Sequence, residues 1–109
     1  MADILNVKNL EEYNNFLNNN ENVIVKFSAN WCGPCKYMTN IITNLNDESL
    51  TNVCFVEVDV DEEDFADVLT DVGVRNIPTF IFYKNNVAKD KKVGLVQAPE
   101  MIDFVKTNL

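Results

Sequence analysis

Hydrophobic and polar positions along the chain follow two periods, and their alternation predicts five strands and four helices. Short runs rich in β-branched and aromatic residues are typical of strands, and they lie at Ile4–Val7, Val23–Ser28, Val53–Asp59, Thr79–Tyr83 and Val87–Val93. Apolar residues spaced three and four apart are typical of helices with one buried face. They are Leu10, Tyr13, Phe16 and Leu17; Met38, Ile41, Ile42 and Leu45; Phe65, Val68, Leu69 and Val72; and Ile102, Val105 and Leu109.

Local signals mark several element boundaries. Asn9 can cap the first helix, with Glu12 as its partner in a capping box. Pro99 suits the start of the last helix. Asn85 and Asn86 tolerate the left-handed backbone of a tight turn, so the last two strands are predicted to form a hairpin.

The order of these elements predicts the fold class. Strands and helices alternate as βαβαβαββα, which favours an α/β protein with a mixed five-stranded sheet and helices on both faces. The lysines of the last strand would protect an exposed sheet edge; they are Lys89, Lys91 and Lys92. Residues 1–109 are expected to form one domain, because that length fits a single core.

The amino-acid composition narrows the range of expected binding partners. The net charge of −8 and the pI near 4.3 argue against a nucleic-acid footprint and against binding to anionic membranes. Solubility is the simpler explanation of this acidity. The alternative is attraction of basic partners, since acidic residues crowd the span from Glu57 to Asp71.

The expected location is the cytoplasm. No apolar run has the ~18–20 residues that cross a bilayer. The start of the chain has no basic region followed by a long apolar stretch, so it does not resemble a secretory signal.

Three cysteines and no histidine exclude Cys–His catalysis and a Cys₂His₂ zinc site. No metal site is therefore expected.

Cys32 and Cys35 are the candidate reactive residues. A strand leads into the Trp31-Cys32-Gly33-Pro34-Cys35 turn, and Pro34 suits the first turn of a helix. At a helix N-terminus, free N–H groups and the positive end of the helix dipole stabilise a Cys32 thiolate. Cys35, one turn deeper, is placed to resolve a mixed disulfide. A static disulfide or half of a metal site are the structural alternatives.

Two segments carry a family resemblance. Residues 27–36 resemble the active-site segment of thioredoxins, and residues 73–80, which contain Ile77-Pro78-Thr79, match a second part of that family. The resemblance covers essentially the whole chain and implies the thioredoxin fold. It also implies that Cys32 is the nucleophile, that Cys35 is the resolving thiol and forms a disulfide with it, and that Pro78 is cis and faces the dithiol.

The same resemblance implies a substrate groove. Gly94 matches a glycine that the family places beside this groove, and a cis Pro78 would expose the backbone of Ile77 to an extended substrate. Trp31 would form an apolar lip, which Val74, Ile77 and Leu95 would complete. An ordinary trans proline and a purely packing tryptophan are the simpler interpretations.

Lys26 departs from the family pattern. Thioredoxins usually carry a buried aspartate at this position, whereas Glu57 on the next strand lies near a position where many bacterial members have a lysine. We therefore expect a buried Lys26–Glu57 pair with exchanged charges. Lys26, Glu57 or water would then act as the base for Cys35, and a cationic Lys26 would make the dithiol a weaker reductant. In the alternative, Lys26 extends past the sheet to solvent.

The third cysteine is predicted to be structural. Cys54 lies beside Val53 and Phe55 in a strand, where a free cysteine mostly behaves as a small hydrophobic residue. A regulatory thiol is the alternative.

The leading functional hypothesis is a thiol–disulfide reductase. By the resemblance, its electrons come indirectly from NADPH through a separate thioredoxin reductase, with no cofactor bound to the chain. Its partners would be that reductase and disulfide-containing clients, and the chain would be a monomer. Whether it acts as an enzyme or an electron carrier stays open. A disulfide oxidase or isomerase is disfavoured by the absence of histidine and of a signal, and a non-catalytic binding module is the remaining alternative.

Overall fold

The computed structural model describes residues 3–109 and contains the predicted series of elements. The strands are β1 (Ile4–Val7), β2 (Asn22–Ser28), β3 (Cys54–Asp59), β4 (Thr79–Lys84) and β5 (Val87–Val93). The helices are α1 (Leu10–Asn19), α2 (Gly33–Thr43), α3 (Ala66–Val72) and α4 (Ala98–Asn108). Short 3₁₀ turns at Glu48–Asn52 and Glu63–Phe65 precede β3 and α3.

The five strands form one mixed sheet in the order β1-β3-β2-β4-β5. β3 is parallel to both β1 and β2, whereas β4 is antiparallel to β2 and to β5. β2 therefore lies at the centre, and its carboxyl end and that of β3 reach the same edge of the sheet. The predicted fold class is confirmed.

Alternation along β2 divides the core into two layers. Val23, Val25 and Phe27 face a cluster that includes residues of α1 and α3. Ile24 faces the opposite cluster, which includes residues of α2 and α4. Because side chains alternate across a strand, Lys26 lies on the same face as Ile24, toward α2.

The predicted cap of α1 and the predicted hairpin turn are both present in the structure. Asn9 Oδ1 accepts a hydrogen bond from the backbone N–H of Glu12 at 2.9 Å, while the Glu12 carboxylate accepts one from the backbone N–H of Lys8 at 2.8 Å. Asn85 and Asn86 have φ values of 51° and 65°, as a tight hairpin turn between β4 and β5 requires.

The buried face of α4 differs from the prediction. Leu109 was expected to point inward, but it follows the end of α4 and is exposed. The buried residues of this helix are Met101, Phe104, Val105 and Asn108. Polar contacts anchor its end, because the Asn108 amide donates to Asp90 Oδ2 at 2.9 Å and its carbonyl accepts from Lys89 Nζ at 2.9 Å. Asn108 is thus a buried polar residue that apolar periodicity does not reveal.

A buried hydroxyl pair joins α1 to the sheet. The Tyr13 and Tyr83 hydroxyls lie 2.8 Å apart, and both residues are buried. Burial raises the pKa of both Tyr13 and Tyr83, because the charged phenolate is disfavoured away from water.

The cap of α1 can be tested by one substitution. Replacing Asn9 with alanine removes the acceptor for the Glu12 N–H, and we expect the free energy of unfolding to fall by about 1 kcal/mol. The measurement is urea unfolding followed by far-ultraviolet circular dichroism. Asn14→Ala is the matched control, because Asn14 is exposed within α1, where alanine is the better helix former. Equal losses in the two variants would contradict the capping role.

Candidate active site

The Cys32–Cys35 pair lies where β2 passes into α2. Cys32 is the N-cap of α2, and Pro34 lies in the first turn, where its missing N–H breaks no helical hydrogen bond. This local sequence begins a helix directly after the central strand. The dithiol consequently lies at the carboxyl edge of the sheet, as predicted.

Cys32 and Cys35 form a disulfide, and their Cα atoms lie 5.3 Å apart. The backbone N–H of Cys35 donates a hydrogen bond to Cys32 Sγ at 3.1 Å. Cys32 is 5% exposed and Cys35 is 1% exposed, so the order of exposure agrees with the prediction. A helix-terminal N–H directed at Cys32 is the contact that would stabilise negative charge on this sulfur in the reduced form.

A second loop lies against the dithiol. The Ile77–Pro78 peptide bond is cis, which confirms the prediction for Pro78. Ile77 packs on the buried cluster of Ala29, Cys32 and Cys35. The backbone N–H of Gly94 donates to the Pro78 carbonyl at 2.8 Å, and Gly94 has a φ of 88°, a conformation that favours glycine. The fold therefore brings the Ile77–Pro78 loop against the dithiol cluster through Ile77 and against Gly94 through Pro78, although these segments are distant in sequence.

An apolar cavity of about 250 Å³ opens beside the dithiol, and we call it the Trp31 groove. It is lined by Trp31, Val60, Leu69, Val74, Arg75 and Ile77. Trp31 is 71% exposed, and its indole N–H donates to Asp61 Oδ2 at 2.8 Å. Leu95 is also exposed, but three predicted groove residues, Pro78, Gly94 and Leu95, are not among the residues that line this cavity.

Four residues around the groove were not predicted from the sequence. Val60 and Asp61 follow the carboxyl end of β3, and the parallel pairing of β3 with β2 brings them next to the segment that follows β2. That pairing could have been anticipated from the strand order. Leu69 was assigned only to the core and Arg75 received no role, because helical spacing alone does not reveal that a residue also borders a cavity.

Lys26 and Glu57 form the predicted pair. They are direct partners in the register of β2 and β3, and Lys26 Nζ lies 2.5 Å from Glu57 Oε1. Lys26 is 1% exposed and Glu57 is 27% exposed. The alternative, in which Lys26 extends past the sheet to solvent, is therefore wrong.

The Lys26 ammonium also contacts the helix that carries Cys35. Its Nζ donates to Thr39 Oγ1 at 2.8 Å and lies 3.4 Å from Ser28 Oγ. Thr39 Oγ1 in turn donates to the carbonyl of Cys35 at 3.2 Å. Thr39 is a further residue that the sequence analysis missed. Together with the Glu57 carboxylate, the hydroxyls of Thr39 and Ser28 satisfy all three N–H donors of the Lys26 ammonium. The Thr39 hydroxyl also links the charge pair to the first turn of α2.

Other candidate groups lie apart from this site. Cys54 is half-buried rather than buried, with its Sγ 3.5 Å from Asn20 Oδ1. It lies at the amino end of β3, opposite Val23, and thus at the end of the sheet away from the dithiol.

Within residues 3–109, no group of three or more His, Cys, Asp or Glu residues is placed to hold a metal ion. None of the helices in that range is long and apolar enough to cross a membrane.

The chain is similar in sequence to known proteins. The family model described as Thioredoxin matches residues 4–107. A thioredoxin of Rickettsia typhi is 35% identical over 104 residues, covering 95% of this chain and 97% of the relative. A thioredoxin of Rickettsia bellii is 33% identical over 109 residues, covering 100% of both.

The fold is shared as well. The oxidised thioredoxin of Plasmodium falciparum superposes with a TM-score of 0.82 at 30% identity, covering 96% of this chain and 97% of that one. A mutant thioredoxin of Halobacterium salinarum superposes with a TM-score of 0.84 at 25% identity, covering 97% of this chain and 90% of that one.

The charge pair behind the dithiol leads to a stability prediction. Glu57→Gln leaves the Lys26 ammonium buried without its counter-charge, and we expect a loss of about 3 kcal/mol in the free energy of unfolding. Lys26→Met should cost less, because the remaining Glu57 carboxylate is 27% exposed and keeps part of its hydration. The measurement is urea unfolding of the oxidised protein, followed by circular dichroism.

A surface pair in the same protein supplies the matched control. Glu21 lies 4.0 Å from Lys84 and is exposed, so Glu21→Gln should cost less than about 1 kcal/mol. If Glu57→Gln costs no more than Glu21→Gln, the buried pair does not contribute as described.

Proposed function

The chain belongs to the thioredoxin family and is a thiol–disulfide oxidoreductase, and from this premise we propose that it reduces disulfides of client proteins. One observation carries the proposal, namely a Cys32–Cys35 disulfide at the N-terminus of α2, with the Cys35 N–H directed at Cys32 Sγ. This arrangement favours Cys32 as the sulfur that carries negative charge and attacks.

The reduction proceeds in two exchanges. The Cys32 thiolate attacks one sulfur of the client disulfide, forms a mixed disulfide and releases the first client sulfur as a thiolate. The Cys35 thiolate then attacks Cys32 Sγ, which closes the Cys32–Cys35 disulfide and releases the second client sulfur. The client gains two electrons and two protons, and the dithiol loses the same number. Proximity favours the second step, because Cys32 and Cys35 lie within one helical turn.

The electrons are returned by a separate protein. Family membership implies a reductase and disulfide-containing clients as general partners. We propose that the reductase draws on NADPH and that this chain binds no cofactor itself, because the dithiol alone stores the two electrons. We further propose that it works as a monomer in the cytoplasm, where a reducing environment would support a reductase.

Lys26 and Glu57 are proposed as positioning residues for the dithiol. The Lys26 ammonium reaches the Cys35 carbonyl through Thr39 Oγ1, so a change in the pair is transmitted to the first turn of α2. Loss of Lys26 also leaves the Glu57 carboxylate without its cation. Negative charge near the site disfavours thiolates and thereby destabilises the reduced state.

Substitution of each cysteine tests the reductase proposal. In an assay in which dithiothreitol supplies electrons and the precipitation of a reduced protein is recorded as turbidity, we expect Cys32→Ser to abolish catalysis. Reduced Cys35→Ser protein that has been freed of dithiothreitol should accumulate mixed disulfides with the client, visible on a non-reducing gel. Cys54→Ser is the control and should retain catalysis, since Cys54 lies at the far end of the sheet. Absence of catalysis by the wild-type protein, with no loss on Cys32→Ser, would favour a non-catalytic binding module.

The positioning role of Lys26 predicts a shift in reduction potential. We expect Lys26→Met to make the potential more negative by about 10–30 mV, measured by equilibration with glutathione buffers. A purely structural role would lower stability without moving the potential. Lys84→Met is the matched control, because Lys84 pairs with Asn22 at the opposite end of β2. An unchanged potential in Lys26→Met would contradict the role.

A further inference from the structure

The Trp31 groove combines an apolar interior with a border of negative charge. Five of its six lining residues are apolar or aromatic, and Arg75 is the one cation among them. The bond from Trp31 to Asp61 ties the lip of the groove to the acidic segment that follows β3. The groove can therefore accept an apolar side chain while the Asp61 carboxylate lies beside it.

The acidic segment contains no lysine or arginine of its own. Between residues 59 and 71 the chain has seven acidic residues, and between residues 37 and 74 it has no lysine or arginine. The carboxylates of Asp61, Glu62 and Glu63 belong to exposed residues. In the part of the chain that the structure describes, no ion pair involves an acidic residue of 59–71.

The fold places this charge at the catalytic edge of the sheet. β2 and β3 are parallel, so the segment after Asp59 and the dithiol after Ser28 leave the sheet at the same edge. The acidic residues Glu21 and Glu48 precede these two strands and lie at the other edge, about 20 Å away along β2. The charge near the groove is therefore a local feature in addition to the overall acidity.

We propose that the Trp31 groove selects disulfide-containing client segments in which an apolar residue is flanked by lysine or arginine. This specificity rests on the reductase function proposed above. The apolar side chain would occupy the groove, and the flanking cations would lie against the carboxylates after β3. Charges at the rim of an interface act mainly on the association rate, and salt screens them. The preference should consequently appear in the second-order rate constant and weaken as ionic strength rises.

Three synthetic peptides provide the test. Each contains one intramolecular disulfide and one leucine beside it, and they differ only in two flanking residues, which are lysine, glutamine or glutamate. The full chain, reduced beforehand with dithiothreitol and freed of it, reacts with each peptide in a stopped-flow instrument. At low ionic strength we expect the lysine peptide to react about tenfold faster than the glutamate peptide, with a ratio that falls several-fold in high salt.

Matched variants separate local from overall charge. Glu62→Gln/Glu63→Gln should lower the lysine-to-glutamate rate ratio about threefold, whereas Glu21→Gln/Glu48→Gln, with the same change in net charge, should leave it close to the wild-type value. Arg75→Gln should raise the ratio, because it removes the one cation of the groove.

The outcomes distinguish the two proposals. Equal rates for all three peptides, or equal effects of the two double variants, would overturn the specificity while the reductase function stands. If the protein reduces none of the peptides and also fails with a protein disulfide, the reductase function itself is wrong.

Discussion

The pairing of β2 with β3 on one side and β4 on the other is the constraint on which the rest of the molecule depends. This central strand contributes to both core layers, and its carboxyl end leads directly into Cys32. Its parallel pairing with β3 brings Asp61 to Trp31, and its antiparallel pairing with β4 brings the loop before β4, which carries Ile77, to the dithiol. One strand thereby gathers residues that are up to 46 positions apart in sequence, from Trp31 to Ile77.

That same strand carries a charge into the interior. A lysine at a position that faces α2 would be costly if it were unpaired, because transfer of an ammonium out of water is unfavourable. Here Glu57 is directly opposite on β3, and the hydroxyl of Thr39 completes the polar environment. The need to satisfy Lys26 thus links the sheet to the helix that bears Cys35. A requirement of packing and a property of the reactive site depend on the same contacts.

The groove and the dithiol have different physical origins. The dithiol is local, because the turn at residues 31–35 contains both cysteines and also the start of α2. The groove is assembled from the ends of β2, β3 and α3 and from the loop before β4. Its apolar interior and acidic border therefore change with residues that take no part in sulfur chemistry. This separation allows partner preference to vary while the exchange reaction stays the same.

The order of elements, the hairpin turn at Asn85 and Asn86, the cap at Asn9 and the identity of the reactive cysteines all follow from the linear sequence. These features depend on local periodicity and on residues close together in the chain, so a linear pattern contains them. Three other features follow only from the folded structure: Val60, Leu69 and Asp61 border the groove, Thr39 completes the contacts of Lys26, and Leu109 is exposed while Asn108 is buried. The register between strands and the packing of helix ends set these contacts, and both arise from interactions between distant segments that no local pattern records.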